Sequence, residues 1–105
     1  MRYLLNSAVI TTEGVYEYRL ISRDEAAAWV RAHQWESRIG YPQTADHIAQ
    51  IAGVRPPLSR EASPMQPQDE ALVVRLRYRV QDPSQKGTVP IGEEDWEYGI
   101  LRRLR

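Results

Sequence analysis

The stretch from Ala71 to Val80 constrains the fold more than any other part of the sequence, because its side chains alternate in character with a period of two. Such alternation is typical of a β-strand with one buried face. The apolar face holds Leu72, Val74, Leu76, Tyr78 and Val80, and the other face holds Val73, Arg75, Arg77 and Arg79. The chain must therefore build a sheet around this strand.

The other segments supply neighbours for that strand. The pattern predicts further strands at Arg2–Ile10, Val15–Ile21, Trp35–Ile39 and Glu97–Leu104. A capping box of Ser22 and Glu25 begins a first helix, whose apolar positions are Ala26, Trp29, Val30 and, at its end, a half-buried structural His33. A second helix runs from Pro42 or Thr44 to Ala52 and stops at Gly53, with a buried stripe of Ala45, Ile48, Ala49 and Ala52.

Two weaker elements complete the expected order. The proline-rich region around 58–62 is either an edge strand or an irregular loop. Residues 93–96 resemble one acidic helical turn before the last strand. The sequence thus predicts an α/β or α+β fold, with a mixed sheet of about five strands and helices packed on it.

Composition limits the classes of function. The chain has 105 residues, of which 42% are hydrophobic, so we expect one domain spanning residues 1–105. Basic and acidic residues balance at 14 each, which argues against binding of long nucleic acid, so an anionic partner is expected to be small. The absence of cysteine excludes disulfides and thiolate sites. We expect no signal peptide, no membrane segment and a cytoplasmic location.

The run Ile39-Gly40-Tyr41-Pro42-Gln43-Thr44-Ala45 predicts a strand-to-helix turn, in which Gly40 can take a positive φ and Pro42 opens the helix. A turn of this kind directs backbone N–H groups and the positive end of a helix dipole at one point, which suits a phosphate. The alternative is an ordinary turn that binds nothing. In the first turn of this helix, Asp46 and His47 are expected to be exposed.

The polar residues Asn6 and Ser7 and the row of arginines at Arg75, Arg77 and Arg79 each allow a structural and a ligand-binding interpretation. Asn6 and Ser7 interrupt an apolar strand, so they either face a ligand at its carboxyl end or tie two loops together. The arginine row, about 13 Å long at ~3.3 Å per residue, is either a solvated face paired with Glu17 and Glu97 or a phosphate-binding face. With two histidines and no spaced ligand pair, no metal or other cofactor is expected.

Three segments in order resemble the viral ring nuclease family. They are Tyr3-Leu4-Leu5-Asn6-Ser7-Ala8, Ile39-Gly40-Tyr41-x-x-Thr44-Ala45 leading into Ile51-Ala52-Gly53-Val54, and Ala71-Leu72-Val73-Val74-x-Leu76-x-x-Arg79. Members of that family are small proteins of archaeal viruses, phages and bacteria that degrade cyclic tetra-adenylate and act as anti-CRISPRs against type III systems. The resemblance implies a homodimer whose symmetric cleft holds one cyclic oligonucleotide, surrounded by basic residues that include Arg75 and Arg77.

The resemblance also implies roles for single residues. Asn6 and Ser7 would approach the ribose or phosphate, and Gly40 with Thr44 at the start of the second helix would hold a phosphate. Arg79 would bind the scissile phosphate, and Asp82 falls where the family has an acidic residue. The ribose 2′-hydroxyl would attack in line without a metal.

Tyr41 departs from the family pattern, which has a histidine at this position as the general acid. A tyrosine has an unperturbed pKa near 10, far from the value that favours proton transfer at neutral pH, and loss of a good acid commonly costs ~10²–10⁴-fold in rate. Binding does not depend on that proton transfer, and His47 could replace the acid. Three hypotheses remain: a binder that sequesters a cyclic nucleotide with slow or absent cleavage, an active ring nuclease, and a protein-interaction module without a ligand.

Overall fold

Two helices pack on one face of a five-stranded sheet in the computed structural model, which describes residues 1–7, 12–61, 64–76 and 95–105. The elements in chain order are β1 (Arg2–Leu5), β2 (Tyr16–Ile21), α1 (Arg23–Ala32), β3 (Glu36–Arg38), α2 (Pro42–Ala52), β4 (Glu70–Leu76) and β5 (Trp96–Arg103). The expected mixed sheet of about five strands with packed helices is confirmed.

The strand order is β2-β5-β4-β1-β3, and β5 runs opposite to the other four. The carboxyl ends of β1, β2, β3 and β4 therefore meet at one edge of the sheet. β1 lies between β3 and β4, two strands that α2 connects along the chain.

The alternation predicted for β4 divides the core into two layers. Leu72 and Val74 face the helices, together with Leu4 of β1 and Ile48 of α2. Val73 faces the other side of the sheet, in a second cluster of buried residues that consists of Tyr3, Met65, Ala71, Val73 and Leu101. Both faces of β4 are buried as far as Val74, so the strand is central rather than half-exposed.

The start of α1 and both ends of α2 coincide with residues that favour helix termini. Ser22 caps α1, its hydroxyl accepting the Glu25 N–H at 3.1 Å while the Glu25 carboxylate accepts the Ser22 N–H at 3.3 Å. α2 starts at Pro42 and ends at Gly53, whose φ of 78° is the left-handed conformation common at helix C-termini. The capping box and the Gly53 stop are confirmed.

Several expected bounds differ from the structure. β1 ends at Leu5, and residues 8–10 of the expected strand lie outside the described residues. The region around Leu58 forms one isolated bridge to Ile39 and is otherwise irregular over the described residues 55–61, which is the irregular-loop alternative given for it. Of the predicted helical turn, Asp95 is in a 3-10 helical conformation and Trp96 belongs to β5, while residues 93–94 lie outside the described ranges. In α2, Ile51 is buried while Ala49 is only half-buried.

Within the described ranges, neither helix has the length and apolar character needed to cross a bilayer.

Candidate functional site

The carboxyl ends of β1 and β3 meet at a corner formed by Asn6 and Gly40. The side-chain oxygen of Asn6 accepts the backbone N–H of Gly40 at 3.0 Å. This bond links the end of β1 to the turn that opens α2, as expected from the loop-tying reading of Asn6. The two segments that sequence reasoning had placed near a ligand are therefore adjacent in space.

The first turn of α2 is left open, in contrast to that of α1. α1 has a capping box, and Asp24 and Glu25 add negative charge to its first turn. α2 has no side-chain cap and no acidic residue in its first turn. Among the described hydrogen bonds, none uses the backbone N–H of Gln43 or Thr44. The N-terminus of α2 therefore keeps donors and a positive dipole end that α1 has neutralised.

Arg60 lies against this corner and was not identified from sequence. A Cβ built on Gly40 would stand 3.4 Å from Arg60 Cγ and 3.8 Å from Arg60 Nε. The Arg60 side chain is exposed and makes no ion pair within the described residues. Arg55 in the same segment is paired with Asp46, at 2.8 Å from Nε to Oδ1. Arg60 thus adds an available positive charge beside the open helix end.

The placement of Arg60 depends on a contact that local patterns do not reveal. Leu58 forms a parallel bridge with Ile39, and the Ser59 N–H donates to the Ile39 carbonyl at 2.9 Å. These two bonds bring the proline-rich segment alongside the strand-to-helix turn. The sequence gives little indication of this position for Arg60. It shows only that an arginine follows Leu58-Ser59 in a region expected to be an edge strand or an irregular loop.

Gly40 itself does not have the positive φ that its residue type permits. Among the described glycines only Gly53 has a positive φ, so the expectation of a left-handed Gly40 is wrong. A Cβ at this position would make only an ordinary contact with Arg60, 3.4 Å from its Cγ. Tyr41, the next residue, is the N-cap residue of α2 and has an extended backbone. Its side chain makes no capping hydrogen bond to the helix, and the residue is 43% exposed.

His47 is buried, contrary to the expectation that it is exposed. Only 7% of the residue is accessible, and its ring stacks on Trp96 with centroids 4.2 Å apart and planes 5° apart. Its Nε2 lies 2.6 Å from the Tyr98 hydroxyl. The helix turns this side chain toward the sheet, so His47 joins α2 to β5. Asp46 is exposed, as expected.

Of the three arginines in the row on β4, the structure describes only Arg75. Arg75 Nε donates to Glu97 Oε2 at 2.6 Å, and the Tyr18 hydroxyl donates to the same oxygen at 3.2 Å. The hydrogen bond from Arg75 to Glu97 raises the pKa of Arg75, and burial, followed by the Glu97 charge, raises the pKa of Tyr18. Arg75 therefore agrees with the interpretation in which the row pairs with acidic residues on neighbouring strands. Glu17 makes no ion pair among the described residues.

The remaining candidates are Ser7, Thr44, Arg77, Arg79 and Asp82. Ser7 is half-buried next to Asn6, and Thr44 is buried in the first turn of α2. Arg77, Arg79 and Asp82 lie outside the described residues. In the ranges that are described, no three histidine, aspartate or glutamate side chains cluster in a way that could hold a metal ion.

Fold and corner together define a small α+β domain in which the carboxyl ends of β1 and β3 lie beside the uncapped first turn of α2. The chain belongs to the STIV B116-like family, whose model matches residues 2–98. Its structure is similar to that of B116 of Sulfolobus turreted icosahedral virus, with a TM-score of 0.75 over 97% of this chain and 98% of that one, at 11% sequence identity. At that identity the likeness shows a shared fold.

A bacterial protein is similar over part of the sequence. The Bacillus subtilis (strain 168) protein named "Uncharacterized protein YddF" is 34% identical over 53 residues, which are 49% of this chain. The match also spans 49% of that protein's own length.

Proposed function

We propose that this protein binds a cyclic oligonucleotide of the cyclic oligoadenylate type as a homodimer, with slow or absent cleavage, and so antagonises nucleotide-signalled antiviral defence. The observation that carries the proposal is the corner formed by Asn6, Gly40 and the open first turn of α2. Beside it lies Arg60, which makes no ion pair with any described residue. A phosphate needs N–H donors and a nearby guanidinium, and this corner offers both. The sequence resemblance to ring nucleases supports the choice of ligand.

Binding without efficient cleavage follows from the two side chains that could supply a proton. Tyr41 stands where the resemblance places the family's histidine, so a phenol replaces the imidazole that most often serves as a general acid. His47 is packed between Trp96 and Tyr98, with Nε2 hydrogen bonded to the Tyr98 hydroxyl. Its ring is therefore engaged in the core, which argues against its serving as the acid at the corner.

An active, metal-independent ring nuclease is the second candidate. It is favoured by the retention of Asn6, Gly40 and Thr44 together at the corner, and by the resemblance that assigns Arg79 and Asp82 to the scissile phosphate. In that mechanism the ribose 2′-hydroxyl attacks the adjacent phosphorus, and the 5′ oxygen leaves with a proton. The two candidates differ in whether linear product forms.

The first test incubates the purified protein with labelled cyclic tetra-adenylate in chelator and follows ligand retention and linear product together. Retention without product supports the binder. Product that accumulates without metal supports the nuclease. If neither retention nor product is seen with this ligand or with a panel of other cyclic oligonucleotides, the binding proposal fails and a protein-interaction module takes its place.

A second test uses Arg60→Gln with Arg55→Gln as the matched control, since both arginines are exposed in the same segment but only Arg55 has a carboxylate partner. A charge-assisted phosphate contact is worth about 1.5–3 kcal/mol. We therefore expect Arg60→Gln to weaken retention by about ten- to a hundredfold and Arg55→Gln to leave it within about twofold. Arg79→Ala should abolish retention. Equal affinities of both glutamine variants would remove Arg60 from the site.

A further inference from the structure

The segment 54–60, which carries Arg60, has an unusual set of backbone hydrogen-bonding groups. Pro56 and Pro57 follow each other, and proline has no backbone N–H. At these two positions the segment can only accept hydrogen bonds, so it cannot extend the sheet as an ordinary strand does. A hydrogen bond between the sheet and either proline must use a donor that the sheet supplies.

Ser37 of β3 supplies that donor. Its hydroxyl donates to the Pro57 carbonyl at 2.6 Å, and the same oxygen accepts the Ile39 N–H at 3.3 Å. Only 6% of Ser37 is exposed, and a buried hydroxyl without partners would be unfavourable. The hydroxyl is therefore engaged in joining β3 to the segment 54–60.

The path from this anchor to Arg60 is short and stiff. A proline ring fixes φ at about −65°, and Pro56 is completely buried. The Ser59 N–H then donates to the Ile39 carbonyl at 2.9 Å. Arg60 is the third residue beyond Pro57, which corresponds to about 10 Å of extended chain at ~3.3 Å per residue. A shift of the segment at Pro57 would therefore displace Arg60 as well.

Beyond Arg60 the segment is held more weakly. The Glu61 carboxylate lies 3.8 Å from Arg38 Nη2, and its side chain is 79% exposed. The Glu36 carboxylate lies closer to the same nitrogen, at 2.8 Å. Exposed ion pairs contribute little to stability. The position of Arg60 thus depends mainly on the anchor that precedes it.

We propose that Ser37 is a positioning residue of the candidate phosphate site. Its hydroxyl holds the acceptor-only pair Pro56-Pro57 against β3 and so keeps Arg60 beside Gly40, where a built Cβ is 3.8 Å from Arg60 Nε. A side chain that is held in place before binding loses less conformational entropy on binding, which raises affinity. This effect on the ligand rests on the proposed function, whereas the anchoring itself does not.

Ser37→Ala tests the positioning role through Arg60. Loss of one neutral hydrogen bond typically shifts an equilibrium by about two- to tenfold, so retention of labelled cyclic tetra-adenylate should weaken by about that factor. In a chain that already carries Arg60→Gln, Ser37→Ala should change retention by less than about twofold, because it acts through the missing guanidinium. Equal effects of Ser37→Ala in both backgrounds overturn the positioning role.

Two further serine variants control for a purely structural effect. Ser37→Thr keeps the hydroxyl and should retain the ligand normally. Ser22→Ala removes a hydroxyl that accepts the Glu25 N–H at the start of α1, so it should lower the melting temperature without weakening retention. Loss of retention in proportion to melting temperature in both alanine variants, or equal losses in Ser37→Thr and Ser37→Ala, overturns the positioning role.

Tryptic cleavage after Arg60 measures the anchor without any ligand. Local opening of a segment raises its rate of proteolysis. Ser37→Ala should therefore speed cleavage after Arg60 by about two- to tenfold. Cleavage after Arg31, in the last turn of α1, should stay unchanged and serves as the internal reference. If circular dichroism shows that Ser37→Ala does not fold, Ser37→Cys takes its place, because a thiol fills a similar volume and is a weak donor.

The outcomes separate the anchor from the function. Faster cleavage after Arg60 in Ser37→Ala, with no cyclic oligonucleotide retained by the unchanged chain, supports the anchor and contradicts the proposed function. Retention by the unchanged chain, with normal cleavage and normal retention in Ser37→Ala, overturns the anchor and leaves the proposed function in place.

Discussion

The side-chain oxygen of Asn6 accepts the backbone N–H of Gly40 at 3.0 Å, and this bond adds a side-chain link just beyond the ends of β1 and β3, which pair in parallel. The amide oxygen is thereby committed to the protein. The amide nitrogen keeps its two donors, which are the groups a phosphate or ribose oxygen accepts. The residue can therefore hold the turn and still meet a ligand, so the two readings of Asn6 from sequence are compatible.

Two substitutions of Asn6 separate those roles. Asn6→Ala removes the acceptor for the Gly40 N–H and should lower the free energy of unfolding by about 1 kcal/mol and reduce ligand retention. Asn6→Asp keeps an acceptor, so it should retain stability, yet its negative charge and lost donors should reduce retention as strongly. Urea unfolding and retention of labelled cyclic tetra-adenylate measure the two effects. Normal retention by Asn6→Asp would show that Asn6 only supports the turn.

Gly40→Ala should reduce binding without destabilising the fold. Gly40 does not have a positive φ, and its added methyl group would lie 3.4 Å from Arg60 Cγ, an ordinary contact. A glycine replaced where the backbone is compatible commonly gains ~0.4–1 kcal/mol by restricting the unfolded chain. In the proposed complex, however, the methyl group would take up space beside Arg60 that the phosphate is expected to occupy. We expect an unchanged or slightly raised melting temperature with weaker retention.

Gly53→Ala is the matched control for that variant. Gly53 has a φ of 78° at the end of α2, far along the helix from the corner. Alanine is strained in this conformation, so the variant should lose about 1 kcal/mol of stability and keep its ligand affinity. If both alanine variants lost affinity in proportion to stability, Gly40 would have no specific role at the site.

The sequence predicted those parts of the fold that depend on interactions between residues close together in the chain. The capping box at Ser22 and the Gly53 stop depend on neighbouring residues and are confirmed. The alternation predicted for Ala71–Val80 is confirmed as far as Leu76, where the described part of the strand ends. The parts that were missed depend on distant contacts. His47 is buried because Trp96 lies on the facing strand, and Arg60 reaches Gly40 because Leu58 pairs with Ile39. No periodicity in the sequence encodes either contact.

The Tyr18 hydroxyl predicts a loss of stability at alkaline pH. Burial, followed by the Glu97 charge, raises its pKa above 10.0, so the folded state holds this proton more tightly than the unfolded state. The stabilisation is complete below pH 10 and is lost as the pH rises through the higher folded value. Urea unfolding between about pH 9 and pH 11 should show a shallower decline for Tyr18→Phe than for the unchanged chain. Parallel declines would show that Tyr18 titrates normally.

The bond between His47 and Tyr98 should prove structural rather than catalytic. His47→Ala removes a buried ring stacked on Trp96 and should cost about 2–4 kcal/mol, and Tyr98→Phe should cost about 1 kcal/mol. The two residues are in contact, so the double variant should lose less than the sum of the singles, with a coupling of at least about 0.5 kcal/mol. If the unchanged chain forms linear product, the rate for His47→Ala should then fall only in proportion to the fraction of that variant that is folded. A folded His47→Gln that retains ligand but forms no product, when the unchanged chain does, would make His47 the acid.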